Sequence, residues 1–195
     1  MNSFNENDHP RNTRGEWTNK PGLGVAPEAD FTHEDEPVLT VNHNGDKEWC
    51  VDGQPHRTNG PAIEWANGDK WWCQHGLLHR IYGPAIERAN GNTEWYQHGQ
   101  LHRDDGPAIE CANGYKEWWL NGQLYRTDGP AIERADGNKQ WWLNGKLHRD
   151  DGSAIELADI AKEWRINGLL HRDDRPAIKY ADGTKSGTST ANSAE

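Results

Sequence analysis

The chain has 195 residues, 33 % of them hydrophobic, and a formal net charge of −10. That apolar content is well below the roughly 45–50 % of ordinary globular chains. With 11 Trp against 2 Phe and 1 Met, the packing must lean on indole rings rather than on an aliphatic core. The acidity argues against a general nucleic-acid binder, which would be basic, and permits a soluble protein, a partner with a basic surface or a mimic of a polyanion.

Residues 1–36 are dominated by Asn, Asp, Glu, Pro, Gly and Thr, with Trp17 and Phe31 isolated among them. So polar a leader is expected to be disordered. It shows no basic-then-apolar secretory start. No later stretch approaches the ~18 apolar residues that span a membrane. The three cysteines are odd in number, which points to reduced thiols and a cytoplasmic location.

A repeat domain is expected over 37–183. Trp49, Trp72, Trp95, Trp118, Trp141 and Trp164 recur every 23 residues. Gly follows each four positions later, from Gly53 to Gly168, and Arg four beyond that: Arg57, Arg80, Arg103, Arg126, Arg149 and Arg172. A Gly-Pro-Ala-Ile stretch closes each unit, with Ser153 in place of Pro and Arg175 in place of Gly as exceptions. Such a period means an array in which each unit buries its apolar face on its neighbours. The motif His102-Arg103-Asp104, read alone, spells the catalytic loop of a kinase. As one of six near-copies it cannot be the single asymmetric constellation that an enzyme needs, and a glycine-rich loop and paired Lys are missing.

Within one unit, Ala108–Ala112 and Tyr115–Leu120 read as strands joined at Asn113-Gly114, a signal for a two-residue type I′ turn. Asn121-Gly122 turns again, and Leu124–Asp128 crosses to the next unit. Asp159-Ile160 is the degenerate copy of the first turn. The density of Gly leaves no helical period. The fold expected is all-β: an elongated antiparallel β-hairpin array of about six repeats, advancing about 10 Å per repeat and roughly 60 Å in all. Residues 184–195 are expected to form a disordered tail.

The stretch WWLNGKLHRDDG, residues 141–152, resembles the MORN repeat, with its aromatic residue, Asn-Gly-Lys and following His. It departs where Arg follows His and where Gly-Pro-Ala replaces Gly-x-Gly, a variant similar to repeats of bacterial, phage and large-virus proteins. The resemblance implies a hairpin array with a binding or scaffolding role and no catalytic residues.

The columns supply the candidate sites. Cys50, Cys73, Tyr96, Trp119, Trp142 and Arg165 follow the first Trp of each repeat and should face the opposite side of the sheet. Tyr96, Trp119 and Trp142 are therefore the expected partner-binding strip, because Trp and Tyr dominate interface energetics; packing on the leader or on a homodimer mate is the competing reading. The Arg column is expected to be structural, stacked on Trp and paired with Asp or Glu. Its alternative is an anion ladder of Arg80, Arg103, Arg126 and Arg149 holding a nucleotide or phospholipid head group. Cys50 and Cys73, one repeat apart, exceed the ~7 Å reach of a disulfide, so free thiols are expected. Cys73, His75 and His79 lack zinc-site spacing, so no metal or cofactor is expected. The chain is thus expected to be a non-enzymatic protein binder, in the phage-type reading an inhibitor of a host or defence protein, with a self-assembling scaffold as a further alternative.

Overall fold

The computed structural model describes residues 36–157, 161–173 and 175–186. The expected disorder of the leader before residue 36, the degenerate turn at Asp159-Ile160 and the tail beyond 186 lie outside the described residues. Among the described residues the chain is all-β. A 15-stranded antiparallel sheet runs from Val38–Val41 to Lys185–Ser186, its strands neighbouring one another in chain order except Gln54–Pro55, which pairs only with Lys47–Val51. Five two-stranded hairpins, such as Trp119–Leu120 with Gln123–Leu124, form a second row beside it.

Each repeat therefore holds two hairpins, where the sequence reading expects one hairpin and a crossing segment. The first pairs Ile109–Glu110 with Lys116–Glu117. Trp118 then leaves the strand, and the second hairpin begins at Trp119. The two turns also differ from expectation. Asn121 and Gly122 have φ of 49° and 73°, so this turn is the type I′. At Asn113-Gly114 only the glycine has positive φ, 89°. There the Gly114 amide donates to the Cys111 carbonyl at 2.9 Å and the Cys111 amide donates to the Tyr115 carbonyl at 2.9 Å. This is a three-residue loop with a glycine bulge. The Asn113 side chain explains the difference: its carbonyl accepts the Tyr115 amide at 3.0 Å, an Asx turn that holds Asn113 at negative φ.

Hydrogen bonds between repeats follow the 23-residue period in both rows. The Trp118 amide donates to the Ala131 carbonyl at 2.8 Å, with equivalents from Trp49 to Trp164. In the second row the Gly145 amide donates to the Leu124 carbonyl at 3.0 Å, and the Arg126 amide to that of Trp142 at 3.1 Å.

The core is a column of alanines. Ala62, Ala85, Ala108, Ala131, Ala154 and Ala177 are each 0 % exposed, and among the described residues no large side chain is fully buried. The sequence reading makes indole rings the packing units. They do pack, but half-buried and flanking the alanine axis. At the C-terminal end Lys185–Ser186 pairs with Ile178–Lys179, so sheet structure extends past residue 183, where the tail was expected to begin.

Candidate functional site

Strand parity separates the two Trp columns. Glu110 pairs with Lys116, and Ile109 with Glu117, so Glu110 and Glu117 project from opposite faces. The first Trp column belongs with Glu110. Arg103 stacks on the Trp95 ring, its guanidinium carbon 4.0 Å from the ring centroid, and its Nη1 donates to Glu110 at 3.1 Å. The second column belongs with Glu117, to which the Trp119 indole N–H donates at 2.6 Å.

The Arg column is held on every side. From Arg57 over Trp49 to Arg172 over Trp164, each guanidinium lies 3.6–4.0 Å from the ring of its own repeat. Arg103 Nε donates to Asp105 at 2.8 Å and Nη1 donates to the Pro107 carbonyl at 3.1 Å. Arg126 and Arg149 repeat the pattern with Asp128 and Asp151. On the side away from the indole lies glycine: a Cβ on Gly106 would sit 2.8 Å from the Arg103 Cζ. Arg80 keeps the Pro84 carbonyl and Glu87 but meets Tyr82, not a carboxylate, at the position of Asp105. These contacts give the ladder a structural role and engage Nε and Nη1 of Arg103, Arg126 and Arg149. The carboxylates respond: Asp105, Asp128 and Asp151 are held below the usual carboxylate range by the hydrogen bond from their arginine.

The histidines are staples between repeats, a role the sequence reading missed. The Asn121 amide donates to His102 Nδ1 at 3.2 Å, and the same bond joins His75 to His56, His98 to His79 and Asn167 to His148. Nδ1 must be unprotonated to accept, which places the proton on Nε2. His102 Nε2 then lies 3.4 Å from Asp104. Every side chain of the kinase-like motif thus holds a neighbour in place. A second staple runs 20 residues forward: Asp46, Asp69 and Asn92 accept the amides of Ala66, Ala89 and Ala112. The only sequence signal for either was that His and Asp/Asn share the 23-residue period.

The expected partner strip is a row of anchored rings. Tyr96 donates to Glu94 at 3.0 Å, Trp119 to Glu117, and Trp142 to Gln140 at 3.0 Å, each two residues back, and all three rings are half-buried. Burial and Glu94 push the Tyr96 phenol up to about 12. In the second repeat the column changes: Cys73 is buried, and Trp71 stands where Glu94 and Glu117 stand in the repeats that follow. The larger residue occupies the face that the smaller one vacates, and the buried Trp71 Nε1 has no hydrogen-bond partner. All three cysteines are free, and burial pushes the Cys73 thiol up to about 11. Among the described residues no His, Cys, Asp or Glu group could hold a metal ion, and no helix is long and apolar enough to cross a membrane.

Neither a family model nor a curated protein matches the chain.

Proposed function

We propose that the chain is a non-enzymatic binding protein that presents its acidic, aromatic sheet surface to a protein partner. The observation that carries this reading is the row of Tyr96, Trp119 and Trp142, half-exposed rings that are each fixed by a hydrogen bond to the sheet before any partner arrives. Preorganised aromatics lose little freedom on binding and make strong interface anchors. The His, Arg and Asp side chains, by contrast, are engaged in holding repeats together, which leaves them poorly placed for chemistry. The MORN-like resemblance extends the proposal to a phage-type inhibitor of a host or defence protein. The anion-ladder alternative is the weaker one, because its arginines already hold carboxylates and carbonyls.

The test is co-purification of the tagged full chain with light scattering on the eluate, alongside a Trp119→Ala/Trp142→Ala variant checked for folding by circular dichroism. A stoichiometric protein that the folded variant loses supports the proposal. The absence of any co-purifying protein, or a nucleotide released only from chains that keep Arg103 and Arg126, overturns it; a protein that the variant retains supports protein binding but takes the Trp119 strip out of the interface.

A further inference from the structure

The second repeat breaks the pattern on the arginine face. After the Arg of each of the first five repeats come two residues on the surface: Thr58-Asn59, Ile81-Tyr82, Asp104-Asp105, Thr127-Asp128 and Asp150-Asp151. Ile81 is 63 % exposed and Tyr82 84 %. This pair does nothing visible for the fold. Tyr82 takes the place of the carboxylate that accepts from Arg Nε in the three following repeats, so the array gives up one ion pair. Its exposure shows that no internal packing replaces that loss. A large rigid aromatic beside a branched aliphatic, both in solvent, has the character of an interface anchor.

The groove beside the pair differs from its copies. An open cavity of about 630 Å³ between the fourth and fifth repeats is lined by Asp128, Asp150 and Asp151 as well as by Trp141. The equivalent cavity of about 620 Å³ between the first two is lined by Trp72, Ile81 and Tyr82 and by no carboxylate. Its two guanidiniums are balanced from behind, Arg57 by Glu64 at 3.7 Å and Arg80 by Glu87 at 2.7 Å. The groove is therefore close to neutral and aromatic. One repeat on, the surface turns acidic: Asp104, Asp105, Asp128, Asp150 and Asp151 are all exposed.

We infer that Ile81 and Tyr82 with the groove beneath them form a docking site for an extended basic segment of a protein partner, an apolar side chain seated at Tyr82 and Lys or Arg side chains lying over the aspartates beyond. The inference rests on the protein-binding proposal and adds the chemistry of the partner and a second contact face, opposite the Trp119 strip. Charge complementarity selects the occupant: a chain of net charge −10 repels a second copy of itself and attracts a basic segment. Geometry sets the spacing. With repeats about 10 Å apart and an extended chain rising about 3.3 Å per residue, basic residues should recur about every third position after the anchor.

The probe is a displayed library of random 12-residue peptides selected on the immobilised full chain. Enriched peptides are then measured by fluorescence anisotropy against wild type and three variants. Ile81→Thr/Tyr82→Asn installs the residues of the first repeat, which the fold already accommodates. The expected result is peptides that join an aromatic or aliphatic residue to a spaced Lys/Arg excess. Their affinity should fall at least tenfold in Ile81→Thr/Tyr82→Asn. Asp104→Asn/Asp150→Asn should weaken binding and flatten its salt dependence. Acidic or neutral enriched peptides would overturn the inference. So would binding that survives Ile81→Thr/Tyr82→Asn but is lost in Trp119→Ala/Trp142→Ala, which would leave the protein-binding proposal standing on the other face. A wild-type dimer in light scattering that Ile81→Thr/Tyr82→Asn dissolves would assign the patch to self-association. Failure to enrich any peptide would count against both readings.

Discussion

Gly106 illustrates how tightly single residues are constrained. The Arg103 guanidinium lies between the Trp95 ring and the Gly106 backbone, and a methyl group on Gly106 would meet the Arg103 Cζ at 2.8 Å. Gly106→Ala should cost about 1–3 kcal/mol, the usual range for overpacking, seen as a lower urea midpoint. In an Arg103→Ala background the same change should cost much less, because the clashing group is gone; equal costs in both backgrounds would refute the sandwich. Protonation states supply a second test. His79 is held below its ordinary 6.5, first by burial and then by His98. The unfolded chain therefore takes up that proton more readily, and the contribution of His79 to stability is present above pH 6.5 and is lost as pH falls through its lower folded value. Asp105, Asp128 and Asp151 are held below 3.8 by their arginines, so their contribution persists until the pH drops beneath that value. Urea midpoints should thus decline in two stages, below pH 6.5 and again below 3.8, and His79→Gln should remove part of the first.

At the scale of the hairpin, the two turns of a repeat make different demands. Asn121 has φ 49° and donates its amide to His102 of the preceding repeat. Asn tolerates this left-handed conformation, whereas a β-branched side chain is strained there. Asn121→Gly should leave stability nearly unchanged, and Asn121→Val should lower it by about 1–3 kcal/mol, measured by thermal melts. Asn113 sits in the bulged loop at negative φ, so Asn113→Val should lose the Asx bond to Tyr115 without the strain. The contrast corrects the reading of Asn113-Gly114 as the two-residue type I′ turn, which belongs to Asn121-Gly122 instead. That dipeptide was legible as a turn in each case, but its type depends on the loop closed around it.

For the whole array, stability should behave as a sum of units and their interfaces. Deleting residues 106–128 removes one period and rejoins Asp105 to Gly129 in register. The shortened chain should still unfold cooperatively, with a lower melting temperature and a smaller urea m-value, since less surface is exposed. Deleting residues 106–117 instead breaks the period and should abolish the fold, as judged by loss of the near-ultraviolet Trp signal. The repeat count, the antiparallel order and the all-β class were all readable from the period, because every repeat repeats the same bonds.

What the sequence determined by itself was this periodic frame: where each unit begins, that glycine and aromatic columns would align, and that the His-Arg-Asp motif is one near-copy among six. Columns of identical residues carry that information directly, since neighbours in an array are 23 positions apart in the chain. Only the tertiary structure decided what each column does. That Ala131 and not Trp118 lies on the axis, that His102 holds the next turn, and that Glu110 and Glu117 serve opposite faces all depend on distances between repeats. A linear pattern records which residues recur; whether a recurring polar group meets a backbone amide, a carboxylate or water is fixed by packing in three dimensions. The same holds for Tyr82, whose departure from the column is visible in the sequence but whose exposure belongs to the fold.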